Sequence, residues 1–476
     1  MAPLTQDQSQ VLTRAGAATT AVQRFSQALH ALQLAEQPTR ESFATDLLKT
    51  GSVYRAGGEL LFFWPPKPQR DAEQAEAADL VKAISRQVRK TFAGMYVEMI
   101  YRQLTREYSR HFRAEELIYE VAGLCPGLCP TRREVAGELE VPLAEKEGCE
   151  MAQGDFFSCL LGHPRAGTHL IIAMLQPVPQ ARHLLEKFRR DGRLDLGAVV
   201  VERRGALGCV FFNNLDYLNA EDDSTLLLFE TAVDLVLLDP DIQVGLLRGN
   251  PVQHPKYRGR RVFSAGLNLT HLYQGKLSLM FYVTRDLGVV NKLYRGLNLA
   301  SDEPETTLEK SWIAILEAFA IGGGCQLLLV ADYVIAEQGA YFNLPARKEG
   351  IIPGAAPLRL ARFVGQRAAQ AGVLFDRTFP VDSPEGRLLV NEVVEPAAMD
   401  AAIDRMAREA TQSGVVSTGA NRKALRLAHE PLDLFRQYMS LFCREQADCH
   451  FSPTLVSNLE RHWVNRDRRY PQEAKS

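Results

Sequence analysis

Ala318-Phe319-Ala320-Ile321-Gly322-Gly323-Gly324-Cys325-Gln326, read together with Phe263-Ser264-Ala265-Gly266-Leu267-Asn268-Leu269, decides how this chain is understood. A glycine triplet ahead of an apolar helical run, Leu327 to Val330, permits a sharp turn with no Cβ in the way, so free amides at a helix start can approach a ligand closely. The dipole of a helix starting at Gly323 adds positive potential at the same point. Alone, such a triplet is usually a turn. The Ser-Ala-Gly stretch upstream makes it half of a pair.

Outward from these stretches the pattern is that of alternating strands and helices. Ala198 to Arg203 and Gly208 to Asn213 are rich in β-branched and aromatic residues across a glycine-containing turn, which predicts a hairpin. An amphipathic helix follows, with Phe229, Val233, Val236 and Leu237 on one face, ended by Asp239-Pro240. Gln243 to Leu247 reads as a buried strand, and further strand-helix units begin at Trp312 and Tyr333, so the fold class is α/β. Residues up to about Gly192 read as helices: Phe92, Met95, Tyr96, Met99 and Ile100 recur at helical spacing, and Thr131 with Glu134 forms a capping-box pattern. Pro65-Pro66 and Cys125 to Pro130 break that region into sub-bundles, and the charged stretch Arg189 to Arg193 predicts a linker. The expected division is a helical N-terminal domain over 1–195, an α/β core over 196–399 and a helical, charged C-terminal region over 400–476.

The chain has 476 residues, 46% of them hydrophobic, enough for two or three packed domains. With 55 Lys+Arg against 57 Asp+Glu the net charge is -2, which leaves no global field to draw nucleic acid or an anionic membrane. The 8 cysteines are scattered as reduced thiols would be; Cys125 and Cys129 lack the nearby Cys/His pair that a zinc knuckle requires, so no metal site is expected. The first residues, Met1-Ala-Pro-Leu-Thr-Gln, have neither a basic stretch nor an apolar segment, and no later run approaches a membrane span, so a cytoplasmic address is expected.

The two glycine-bearing stretches resemble the enoyl-CoA hydratase/isomerase, or crotonase, superfamily over about Ala198 to Met399. In that family a strand ending in Ser-Ala-Gly and a Gly-Gly-Gly helix start each supply one backbone N–H to the carbonyl oxygen of an acyl-CoA thioester. The resemblance implies a spiral of ββα units, assembly into trimers or dimers of trimers, and an oxyanion hole made by the amides of Leu267 and Gly323. Such donors stabilise an enolate more than its parent thioester, and losing one typically costs about 3 kcal/mol. Family hydratases add water with two glutamates; the matching positions here are Gln326 and Ala346, which cannot shuttle protons. Glu349 is displaced from the expected position and reads as structural.

Five further segments are similar to one branch of the superfamily, the 3,5-dihydroxyphenylacetyl-CoA 1,2-dioxygenases: Asn219 to Asp223, Glu230 to Asp234, His254 to Arg261, Arg285 to Gly288 and Lys348 to Gly354. This implies oxygenation of an arylacetyl-CoA to an arylglyoxylate with release of CoA. It further implies O2 as co-substrate, no cofactor, and a place beside enzymes that make 3,5-dihydroxyphenylglycine for peptide antibiotics. It assigns Glu221, Arg285 and Gln326 to the ring hydroxyls. Outside that context Glu221 reads as a helix cap, Arg285 as a surface charge and Gln326 as an ordinary first-turn amide. The basic loop Lys256 to Arg261 reads equally as a contact for CoA phosphates or as a solvated loop. Two other readings keep the chain in view as a different acyl-CoA isomerase, hydrolase or hydratase, or as a non-catalytic acyl-CoA-binding or scaffold protein.

Overall fold

The structure is a computed structural model that describes residues 2–299, 306–412 and 415–464. Helices fill the N-terminal part: α1 (Gln6–Arg14), α2 (Thr19–Ala31), α3 (Arg40–Phe63), α4 (Ala72–Leu104), α5 (Ala114–Leu124), α6 (Arg132–Leu139), α7 (Met151–Gly162), α8 (Pro164–Met174) and α9 (Pro179–Asp191). The Pro65-Pro66 break falls between α3 and α4, and Cys125 to Pro130 between α5 and α6, as the sequence predicts. Phe92, Tyr96 and Ile100 of α4 are fully buried, and Thr131 and Glu134 cap α6 reciprocally.

The charged stretch Arg189 to Arg193 is not a linker. Arg189 to Asp191 are the last turn of α9, Gly192 closes the helix at φ 71°, and Arg193 begins a strand. A left-handed glycine reverses the chain at once, so the charges sit on an exposed helix end instead of a tether.

Among the described residues twelve strands follow: β1 (Arg193–Asp195), β2 (Val199–Arg204), β3 (Leu207–Phe212), β4 (Val244–Gly249), β5 (Leu297–Asn298), β6 (Thr307–Leu308), β7 (Ser311–Leu316), β8 (Phe319–Ile321), β9 (Tyr333–Glu337), β10 (Tyr341–Asn343), β11 (Phe379–Pro380) and β12 (Glu392–Val394). The main sheet runs β1-β2-β3-β4-β7-β9-β12, antiparallel through the predicted β2–β3 hairpin and parallel from β3 onward. A smaller sheet, β11-β10-β8, stands beside it, and β5 pairs with β6. Helices α10 (Asp223–Leu238), α11 (Leu269–Tyr273), α12 (Leu279–Arg285), α13 (Asn291–Arg295), α14 (Gly323–Leu328), α15 (Ala346–Glu349), α16 (Ala356–Arg359), α17 (Ala361–Phe375) and α18 (Pro384–Leu389) connect these strands, as a fold of repeated strand–helix units requires. The predicted strand Gln243 to Leu247 is β4, shifted by one residue at its start. The predicted helix after the hairpin is α10, but it has no single apolar face: Phe229 to Leu237 are all buried, because it is covered by α9, α12, α13 and the sheet.

Helices α19 (Met399–Thr411), α20 (Val415–His429), α21 (Leu432–His450) and α22 (Pro453–Leu459) come after the last strand. Helix α19 lies on the outer face of the sheet over Val200, Phe211, Leu246 and Ile313. Helix α21 returns to the N-terminal helices and packs along α7. The approach is close because α7 carries Gly154: a Cβ there would stand 2.6 Å from Ala447 Cβ and 2.7 Å from Cys443 O.

Charged side chains bind the N-terminal helices to the core. Arg113 donates two hydrogen bonds, 2.8 and 2.6 Å, to Glu230 of α10, and Lys292 of α13 reaches Glu230 at 2.8 Å and Asp234 at 2.7 Å. Asp234 also accepts from the Val178 amide at 2.7 Å. Burial disfavours both carboxylates; Lys292 and Arg113 nevertheless hold Glu230 below the usual range, while Asp234 is pushed up to about 6. On the C-terminal side Glu430 accepts from Arg359 and Arg362 and meets Arg295 at 3.4 Å, and these cations hold it down at about 2 against the cost of burial.

Gly154→Ala should therefore cost about 1–3 kcal/mol by forcing α7 from α21. Gly94→Ala, inside α4 with nothing within 4 Å of the new methyl, should gain up to about 1 kcal/mol. Urea denaturation of both variants checks the contrast.

Candidate active site

The site grows from three loops that close on each other. After β3 the chain turns through Leu218 at φ 55° and Asn219 at φ 57°. Asn219 Nδ2 donates to Val262 O at 2.8 Å, and Ser264 Oγ returns a bond to Asn219 O at 2.9 Å. The same hydroxyl accepts from the Gly266 amide at 3.0 Å. Glu221 N donates to Gly266 O at 2.7 Å and Asn268 N to Glu221 O at 2.8 Å, so Glu221 and Leu267 lie side by side in a bridge. The expected strand ending in Ser-Ala-Gly is not formed: Ser264 makes an isolated bridge to Ala320, and the surrounding polar bonds hold the segment. Two glycines, at positions 259 and 266, take positive φ in this stretch and break a ladder.

The third loop is β8–α14. Gly322 sits at φ 50° and its amide donates to Asn343 O at 2.9 Å. Gly266, at φ 80°, comes so close that a Cβ on it would be 2.4 Å from Ile321 O and 2.8 Å from Gly323 N. Here glycine is required by both conformation and space. The contact brings the Leu267 and Gly323 backbones to one wall of one cavity. Among the described residues neither amide donates to a protein acceptor. Helix α14 spans only six residues, so its macrodipole is weaker than that of a long helix.

The three side chains predicted to bind the ring stand together as one buried network. Arg285, at the end of α12, donates Nε to Glu221 Oε2 at 2.7 Å and Nη2 to Glu221 Oε1 at 2.9 Å. Its Nη1 donates to Gln326 Oε1 at 2.7 Å, and Nη2 also to Gly323 O at 3.0 Å. Burial works against the charge of Arg285, yet Glu221 raises its pKa above the ordinary arginine value. The alternative readings fall away on geometry: Asp222, not Glu221, caps α10, and Arg285 is 3% exposed, not a surface charge.

Leu267, Gly323, Glu221, Arg285 and Gln326 all line this cavity, which offers about 30 Å³ to the centre of a water-sized sphere. Phe281, Tyr282, Asp286, Glu349 and Ile351 to Gly354 complete the wall. A larger cavity, about 200 Å³, lies elsewhere, between the sheet and α19 around Phe211, Arg248 and Ile403. It holds none of the predicted residues. Ala346 is buried at the start of α15 outside the lining. None of the basic residues from Lys256 to Arg261 lines the cavity either; Arg261 donates inward to Gly249 O at 3.0 Å and Arg260 lies 3.7 Å from Glu337.

Glu349, read from the sequence as structural, stands at the cavity. It is partly buried with its carboxyl on the cavity, 4.0 Å from where a Cβ on Gly322 would stand. Burial, then Asp376, push it up to about 8. The signal available was Gly350 and Gly354 around Ile-Ile-Pro: both take positive φ, and a Cβ on Gly354 would fall 2.2 Å from Gln326 Oε1. Those glycines fold the segment back over the site. Among the described residues no three His, Cys, Asp or Glu side chains are grouped to hold a metal ion, and no helix is long and apolar enough to cross a membrane.

The enoyl-CoA hydratase/isomerase family model matches residues 258–438. A curated (3,5-dihydroxyphenyl)acetyl-CoA 1,2-dioxygenase of Amycolatopsis orientalis is 44% identical over 390 residues, 82% of this chain and 89% of that protein. A short-chain-enoyl-CoA hydratase of Clostridium acetobutylicum is 27% identical over 234 residues, 49% of this chain and 82% of its own. Among solved structures, an enoyl-CoA hydratase from Mycobacterium avium subsp. paratuberculosis K-10 superposes with a TM-score of 0.47 at 20% identity, covering 56% of this chain and 99% of that one.

Arg285→Met should leave Glu221 buried without a counter-charge and destabilise the chain by about 3–5 kcal/mol. Adding Glu221→Gln should recover much of that loss, because the uncompensated charge goes with it. A double-variant cycle of urea midpoints measures the coupling.

Proposed function

Because the chain belongs to the enoyl-CoA hydratase/isomerase family, whose chemistry turns on a thioester enolate, we propose that it is a cofactor-independent dioxygenase converting an arylacetyl-CoA, 3,5-dihydroxyphenylacetyl-CoA foremost, and O2 to the arylglyoxylate and CoA. The observation that carries this reading is the Glu221–Arg285–Gln326 network beside two undonated amides in one cavity. The 44% identity to the Amycolatopsis dioxygenase supports the same substrate class.

Each part has a role in such a reaction. The Leu267 and Gly323 amides receive the thioester oxygen as charge gathers on it, which lowers the barrier to losing a Cα proton. Glu221, Arg285 and Gln326 present acceptors and donors fixed by mutual bonds, suited to hydroxyl groups on a ring. An electron-rich ring spreads the enolate charge, and the carbanion passes an electron to O2 before a carbon–oxygen bond forms. Both oxygen atoms enter the arylglyoxylate, the thioester carbon–sulfur bond breaks, and the two Cα hydrogens leave as protons, one to the CoA thiolate. The electrons come from the substrate, so the balance needs no external reductant. Phe281, Ile351 and Ile352 line the cavity with apolar surface, which favours a charge-delocalised intermediate over hydration.

Hydratase chemistry is disfavoured by the residues present. Gln326 and Ala346 stand where the family's two glutamates are expected, and Glu221 is bound by a guanidinium. The proposal takes the protein to act in the cytoplasm as a homo-oligomer, trimer or hexamer. It keeps the division into a helical region over 1–195, an acyl-CoA core over 196–399 and C-terminal helices over 400–476.

Protein with its metal and flavin content measured should take up oxygen and release CoA in equal amounts from 3,5-dihydroxyphenylacetyl-CoA, and should not hydrate crotonyl-CoA. Uptake that tracks bound iron would overturn the mechanism. Leu267→Pro, which removes one donor outright, should lower kcat by about 100- to 1000-fold.

A further inference from the structure

Among the described residues three carboxyl side chains line the cavity, and two of them have cationic partners. Glu221 is held by the Arg285 fork. Asp286 lies 4.0 Å from Arg285 Nη1, accepts from the Ala355 amide at 3.2 Å, and is also influenced by Arg359. Glu349 differs from both. Among the described residues no hydrogen bond or ion pair engages its carboxyl, and it stands beside Gly322, the residue preceding one of the two undonated amides.

We propose that Glu349 is the base that takes the Cα proton of the bound arylacetyl thioester, an assignment that rests on the enolate reading above. The Cα–H bond breaks and an O–H bond forms on the Glu349 carboxylate. The C–H electron pair becomes the enolate π bond, and the carbonyl pair moves onto the oxygen facing Leu267 and Gly323. No other reagent is needed.

The position suits that task for three reasons. The base must share a cavity with the amides that receive the charge, and Glu349 does. It must not be tied to a cation, because pairing would weaken its basicity. It must also be fixed: Gly350, at φ 79°, closes α15 with its amide donating to Ala346 O at 2.7 Å, and α22 packs behind at Leu455 and Asn458. Burial and Asp376 raise its pKa to about 8, near the range in which a general base is most effective. The other titratable groups around it are Tyr282 of α12 and Cys325 of α14. Arg362 of α17 is bound to Glu430, Arg367 is exposed, Arg347 and Lys348 of its own helix are exposed, and α22 carries no titratable side chain.

The test uses the full chain and α-deuterated 3,5-dihydroxyphenylacetyl-CoA under anaerobic conditions, following loss of deuterium to solvent, before oxygen is admitted and its uptake measured. The unmodified chain should exchange deuterium at a rate that rises with pH and levels off above about 8, because the basic form accumulates only above its raised pKa. Glu349→Gln should exchange at least about 100-fold more slowly while binding the same thioester, measured calorimetrically without oxygen, within a few-fold. Glu349→Asp, which keeps the carboxyl, should retain part of the rate and a shifted pH profile; this arm stands even if the amide variant folds poorly. Unchanged exchange and an unchanged profile in Glu349→Gln overturn the assignment. Glu349-dependent exchange with no oxygen uptake supports the base and overturns the dioxygenase reading. Full oxygen uptake in Glu349→Gln does the reverse. Absence of exchange in the unmodified chain overturns both.

Discussion

A buried guanidinium organises this molecule. Arg285 reaches the loop after β3 through Glu221, the start of α14 through Gly323 O and the side chain of Gln326, all within 3.0 Å. An arginine so placed pays a large desolvation penalty, which only well-directed bonds offset. Those bonds leave little freedom to the loops that they join. Since Glu221 is bridged to Leu267 and Gly323 carries the second amide, one cation sets the spacing of both backbone donors. In the proposed reaction, ring recognition and thioester activation then share a single mechanical origin.

The N-terminal helices belong to the same construction. Helix α12, which ends in Arg285, packs against α5, α7, α10 and α21, so its direction depends on elements from both ends of the chain. The Glu230 carboxylate adds a second fastening: Arg113 from ahead of α5 and Lys292 from α13 converge on it, and Gly288 lies between because a Cβ there would stand 2.9 Å from its Oε1. A polar network of this kind fixes orientation, even where an apolar packing of equal volume would match it in stability.

Much of this was legible in the residues. The β2–β3 hairpin, β4 and the strands opening at Ser311 and Tyr333 follow from runs of β-branched and apolar residues that are buried almost throughout, and the long helix around Phe92 follows from apolar positions at helical spacing. Leu267, Gly323, Glu221, Arg285 and Gln326 could be placed together only through family likeness, because contacts such as the 41 residues separating Arg285 from Gln326 leave no local trace. Other features were hidden for identifiable reasons. Asp222 and Glu221 are adjacent carboxylates, and only tertiary geometry shows which caps the helix. Glu349 sits in a charged run, Arg347-Lys348-Glu349, that looks solvated until Gly350 and Gly354 turn it inward. The charges at the end of α9 look like a tether because composition does not register a left-handed glycine.

The pairing of α7 with α21 through Gly154 bears on how the polypeptide is made. Helix α7 leaves the ribosome long before Ala447, so the surface that receives α21 waits through synthesis of the entire sheet. Contacts of such sequence separation are slow to form, and exposed apolar helix faces invite aggregation meanwhile. In a nascent chain the wall at Ile352 and Gly354 therefore gains its backing from Gln446 and Tyr438 of α21 only after the sheet is made.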